Sequence, residues 1–164
     1  MALRNDPGGA GLTLPELLVA VAVLALLAGL AFASGRRWLA QQQLETATRL
    51  VLAGLEQGRE QAERQGLACA LALTPQGWQA PNGGSLPSCL AETLSLQEGV
   101  GGRAVELTHN LPAALRFSSN GLLLDGGTVV LAAGGTSGQR CVVVALPLGI
   151  TRVGQWKGGS CAPA

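Results

Sequence analysis

The chain has 164 residues and a formal net charge of +1, and only 13% of its residues are charged. That balance excludes a polyanion-binding composition spread over the whole chain. With no Tyr, two Phe and three Trp, an aromatic stacking platform for nucleic acid is excluded as well. The length suits one domain with an extension, and the 48% hydrophobic content is inflated by the segment Leu17–Ala33.

The first eleven residues are mostly small or polar and end in Gly8-Gly9-Ala10-Gly11. Glu16 is the only charged residue between Asp6 and Arg36. Thr13-Leu14-Pro15-Glu16 reads as a capping box, with Thr at the N-cap, Glu three residues later and Pro in the first turn. Glu16 would then accept from the backbone N–H of Thr13. Leu17–Ala33 follows, seventeen residues without a charge, or about 26 Å as a helix. With Leu12–Glu16 added, the run reaches bilayer-spanning length. A carboxylate costs about 2.5–3.5 kcal/mol at mid-membrane and less near the interface, so Glu16 calls for a partner.

A secretory signal peptide is the competing reading, with Ala31-Phe32-Ala33 as its cleavage site. The leader carries only Arg4, offset by Asp6, and a helix pattern continues past Arg36, so removal of the segment is disfavoured. Arg36-Arg37 would place that end in the cytoplasm by the positive-inside rule.

From Trp38 to Gln65 the pattern is amphipathic. Leu44, Ala47, Val51, Leu55, Gly58 and Ala62 recur at three- and four-residue spacing. Gln41, Gln42, Glu45, Arg49, Glu56, Arg59, Glu60, Glu63 and Arg64 form the opposite, solvated face. Gly54 and Gly58 weaken the helix and would allow another backbone to approach closely. Gly66 is the stop.

Beyond Gly66 the period changes to that of short strands. Leu67–Thr74, a strand beginning at Trp78, Ala104–Asn110, Ala114–Ser118, Thr128–Ala133, Arg140–Leu146 and Ile150–Gln155 are the strand expectations. Pro75-Gln76-Gly77, Asn120-Gly121, Asp125-Gly126-Gly127 and Gly134–Gly138 are turn signals, and Ala80–Pro87 is a loop. One long helix followed by a sheet with Gly-rich turns gives an α+β fold with an antiparallel sheet.

Cys69, Cys89, Cys141 and Cys161 all lie in the second half. An even number confined to one region points to disulfides in an oxidising compartment. Three pairings exist. Cys69–Cys89 and Cys141–Cys161 are expected, because each joins a strand to a following polar, Pro-containing segment. No close C-x-x-C pair exists and His109 is the only histidine, so no metal site is expected. His109 lies beside Asn110 and Pro112 and is expected on a surface loop. No nucleophile-elbow, phosphate-loop or metalloprotease motif is present, so neither catalysis nor a cofactor is expected.

Several of these motifs together resemble the GspH/FimT-type minor pilins and pseudopilins. Gly11-Leu12 followed by Glu16, the fifth residue counted from Leu12, resembles the type IV prepilin N-terminus. Arg59-x-x-Ala62, the strand Ala68–Leu73 and Trp78 resemble the family's entry from helix to sheet. Phe117-Ser118-Ser119-Asn120-Gly121 resembles its phenylalanine-to-glycine turn. Arg140–Val144 and Leu148–Val153 resemble its closing hairpin.

The resemblance implies a pilin fold, a long helix packed on a β-sheet head. It divides the chain into a leader 1–11, a membrane and fibre-core helix 12–36, its amphipathic continuation 37–65 and a periplasmic head 66–164. A prepilin peptidase would cut between Gly11 and Leu12 and methylate Leu12. The subunit would stand in a bacterial inner membrane with its head in the periplasm, against the charge rule read from Arg36-Arg37. It would then join other pilins in a fibre, with Glu16 paired to a neighbour's N-terminal amine. A minor pilin of a type IV pilus, in an initiating or tip complex, is the leading expectation. The H-type pseudopilin of type II secretion is the alternative, and a DNA-binding minor pilin for DNA uptake is a third.

Two departures from the family pattern stand out. Leu12 replaces the usual phenylalanine. Gly149-Ile150-Thr151-Arg152 stands where DNA-binding members carry Gly-Arg-x-Arg, so one of two arginines is missing. Arg140, Arg152 and Lys157 remain as basic groups for a phosphate backbone, and fewer such groups mean weaker salt-dependent binding.

Overall fold

Helix α1 (Leu14–Gln65) opens at the Thr13 cap, where the N–H of Leu17 donates to the Thr13 carbonyl at 3.1 Å. The structure, a computed structural model, describes residues 13–96, 105–134, 137–146 and 149–163, and of 30–34 and 36 it describes the backbone alone. The expected leader 1–11, Leu12, Ala104, Leu148 and the middle of the Gly134–Gly138 turn lie outside the described residues. The chain divides into two units, Met1–Arg36 and Arg37–Ala164.

In the first unit every described side chain of α1 from Leu14 to Gly29 is exposed. Leu17, Leu18, Val19, Val21, Val23, Leu24, Leu26 and Leu27 point to all sides, because successive residues step by about 100° around the axis. A helix apolar all round belongs inside a larger apolar environment. Among the described residues no helix is long and apolar enough to cross a membrane. The described side chains of the run end at Gly29, short of the ~20 residues a span needs, and its continuation is known from the sequence.

In the second unit α1 presents the expected stripe. Leu44, Ala47, Val51, Leu55 and Ala62 are buried. Thr48 joins them because its hydroxyl donates to the Leu44 carbonyl at 2.7 Å. The outer face carries Glu45–Arg49, Glu56–Arg59 and Glu60–Arg64 pairs, each with the acid N-terminal. Gly66, at φ 62°, ends the helix in the left-handed region.

The glycines of this stripe admit rings, where another backbone was expected. A Cβ on Gly54 would collide with the Trp78 indole, whose Nε1 donates to the Val51 carbonyl at 3.1 Å. A Cβ on Gly58 would come within 2.8 Å of Leu71 and 2.9 Å of Phe117.

Among the described residues nine strands follow: β1 (Cys69–Thr74), β2 (Gly77–Gln79), β3 (Leu94–Ser95), β4 (Val105–His109), β5 (Leu115–Phe117), β6 (Gly127–Ala133), β7 (Gln139–Ala145), β8 (Ile150–Lys157) and β9 (Ser160–Pro163). They form two antiparallel sheets, ordered β3-β2-β1-β5 and β4-β6-β7-β8-β9. β3 and β9 are additional to the sequence expectation, and β8 runs two residues further than expected. On β1, Cys69, Leu71 and Leu73 share a face with their partners Phe117, Leu115 and Trp78. That face, the helix stripe, and Val129, Leu131, Val142 and Val144 of the second sheet make one buried cluster.

His109 lies within the expected strand Ala104–Asn110 and not on the surface loop that its polar neighbours suggested. It closes β4 opposite Val129, and its Nε2 donates to the Leu73 carbonyl of the other sheet at 3.1 Å. Five residues of alternating in–out pattern carry the chain through His109 as a strand, so the polar neighbours Asn110 and Pro112 mark only the strand's end.

Candidate functional site

The cap at the start of α1 is built by Glu16. Its Oε2 accepts from the Thr13 backbone N–H at 2.9 Å and from the Thr13 hydroxyl at 2.8 Å. Both bonds use one carboxylate oxygen, and among the described residues Oε1 carries no bond. Glu16 can therefore cap the helix and still present an acceptor outward, beside a run of exposed apolar side chains. Gly11 and Leu12, the expected cleavage and methylation residues, lie outside the described residues.

The cysteines are all bridged. Cys69–Cys89 has a Cα–Cα distance of 5.1 Å and Cys141–Cys161 one of 5.9 Å. The first ties β1 to the segment before β3. The second spans the β7–β8–β9 arrangement, holding β9 to β7 across β8. The two-residue turn Gly158-Gly159, with φ of 56° and 85°, lets Lys157 pair with Ser160.

Register decides where the three candidate basic groups point. On β8, Arg152 pairs with Val143, and Ile150 pairs with Ala145. Both therefore share the face carrying Cys141 and Cys161, because side chains alternate along a strand. Arg140 pairs with Leu131 and Gln155, and so belongs to the helix-facing side with Lys157. The sheet thus brings Arg140 and Lys157 to one face and sets Arg152 on the other. The missing arginine of the family's pair falls at Ile150, which is 55% exposed.

Two grooves flank α1 in the second unit. One, of about 910 Å³, is lined by Arg37, Trp38, Glu45, Arg140, Trp156 and Lys157 among others. Composition did not single out this grouping. Only the period-two parity of β8 hints that Lys157 and Arg152 face apart. The other, of about 610 Å³, runs from Arg49 to Arg59 along the helix and is closed by Leu123 and Gly149–Thr151. Arg59, expected on the solvated face, leans into it and donates to the Gly149 carbonyl at 3.3 Å.

The turn after β5 is also fixed on the helix. Ser118 N–H donates to Leu122 O, and Gly121 N–H to Ser118 O, both at 2.9 Å. Gly121 has φ 70°, and a Cβ there would meet Arg59 Cγ at 2.8 Å. Arg116 clamps the following segment with a two-pronged pair to Asp125, at 2.8 and 2.9 Å. The guanidinium holds the Asp125 carboxyl below the usual carboxylate range, chiefly through its hydrogen bonds. Among the described residues, no group of three His, Cys, Asp or Glu could hold a metal ion.

No curated protein and no solved structure matches the chain. A family model described as type II transport protein GspH matches residues 47–147, more than half of the chain. That span runs from the buried Ala47 of α1 through both sheets as far as the end of β7, and by this match the chain belongs to the GspH family.

Proposed function

We propose that this pilin-type chain is a minor subunit of a type IV pilus, built into an initiating or tip complex through its N-terminal helix. A prepilin peptidase would remove 1–11 and methylate Leu12, and the helix would anchor the subunit in the inner membrane with the head in the periplasm. The observation that carries this reading is the Thr13–Glu16 cap at the head of α1, whose next stretch, Leu17–Gly29, is exposed and apolar on every side. Packed into a fibre core, such a helix loses its contact with water on all sides. A lone carboxylate in that low-dielectric core needs a cation, and a neighbour's N-terminal amine supplies one. Type II secretion is the second reading, favoured by the description of the matching family.

Two substitutions test the role of Glu16. Glu16→Gln keeps an acceptor for the cap but removes the charge, whereas Glu16→Ala removes both. Membrane insertion should survive either, since losing a charge eases insertion. Breaking a buried pair costs about 3–5 kcal/mol, so both variants should enter fibres more than ten-fold less than the parent. Normal incorporation of Glu16→Gln would show that Glu16 only caps the helix. Deleting the gene separates the two systems: lost surface fibres support the pilus, and lost protein secretion supports the pseudopilus.

A further inference from the structure

We infer that the groove between the Arg37–Glu45 stretch of α1 and strands β7 and β8 is a docking surface for the phosphate groups of phospholipid headgroups. The inference rests on the membrane-anchored reading above. Three cations converge on the groove, Arg37 from the helix and Arg140 and Lys157 from one face of the sheet. Its one lining acid, Glu45, is already engaged by Arg49 at 3.1 Å. Among the described residues Arg37, Arg140 and Lys157 form no ion pair. Gln41 and Gln155 add uncharged amide donors.

The groove also carries the mark of a membrane interface. Arg37 and Trp38 come directly after the apolar run in sequence, and Trp38 is 60% exposed. Trp is enriched at headgroup depth, where its ring is amphipathic. A guanidinium matches a phosphate with two parallel hydrogen bonds. Arginines on this side of the span run against the positive-inside rule. Headgroup phosphates beside them supply the countercharge. The head would then rest on the bilayer before extraction, and the groove would be vacated as the subunit enters the fibre.

Lys157 is the only lysine, so its acetylation by a water-soluble reagent reports on the groove alone. The full chain is compared in phosphatidylglycerol nanodiscs and in phosphate-free maltoside micelles, with peptide mass as the readout. Lys157 should react at least about five-fold more slowly in the nanodiscs. Arg37→Gln with Arg140→Gln, or about 0.5 M salt, should abolish that protection. Protection that survives both would reflect shielding by the bilayer's bulk and would overturn the phosphate assignment. Protection by a short DNA duplex in micelles, with none from phosphatidylglycerol, would assign the groove to nucleic acid and overturn it too. A parallel measurement isolates the anchoring. In Trp156→Phe, Trp38 emission should be quenched by a lipid with a nitroxide headgroup, while Trp78 is buried and unreachable. Quenched Trp38 with unprotected Lys157 refutes the docking surface alone. Unquenched Trp38 refutes the anchoring, and the docking surface with it.

Discussion

Gly54 is where a single missing methyl group decides the packing of the head. The Trp78 indole occupies the space of its absent Cβ and donates to the Val51 carbonyl. Alanine there gains at most about 1 kcal/mol of helix propensity, whereas overpacking a filled core costs about 1–3 kcal/mol. Gly54→Ala should therefore lower the melting temperature, and a rise would contradict the contact. Asp125 supplies a second test. Its carboxyl is held below the ordinary range by Arg116, so its contribution is full above the unfolded-chain value of about 3.9 and fades as pH falls through the lower folded value. Asp125→Asn should melt below the parent at neutral pH. The gap should close as pH drops beneath the carboxylate range, and a gap unchanged by acid would exclude the charge pair as its cause. Neither partner was legible from composition: Gly54 meets a ring 24 positions on, and Asp125 read only as a turn residue.

At the scale of elements, α1 was legible because its buried stripe keeps the helical period from Leu44 to Ala62. Most strands were legible as short runs between glycine and proline turn signals. Two were not: β3 is only two residues long, and β9 (Ser160–Pro163) has no apolar alternation and ends in proline. Hydrogen bonding to β8 and the Cys141–Cys161 bridge hold β9 as a strand. Each bridge closes a loop with a sequence separation of 20 residues, for which chain entropy gives roughly 3 kcal/mol. Replacing Cys141 and Cys161 together by serine should free β9 to exchange its amides quickly, with β6 and β7 still protected. Uniform loss of protection across the five strands would mean that the bridge supports the whole sheet. The face of Lys157 was not legible, because the expected strand stopped at Gln155 and β8 runs on to Lys157. Nor was the face of Arg140, because it depends on the β6–β7–β8 register.

For the whole molecule, one chain carries two kinds of surface. The second unit buries a continuous core around α1 and two sheets, and it holds the whole span matched to the GspH family. The first unit leaves every described apolar side chain between Leu14 and Leu27 exposed. That asymmetry is what a subunit needs if its helix passes from a membrane to a fibre while its head stays folded in water. The Thr13–Glu16 cap was legible because it is local in sequence; the grooves beside α1 were not, because they join residues far apart in the chain. The start of the mature chain tests the anchored-subunit reading most directly. Mass spectrometry of the membrane-extracted protein should find Leu12 as the first residue, carrying an added N-methyl group, and a bulky residue in place of Gly11 should block the cut. A native N-terminus at Met1, or one just after Ala33, would contradict the account.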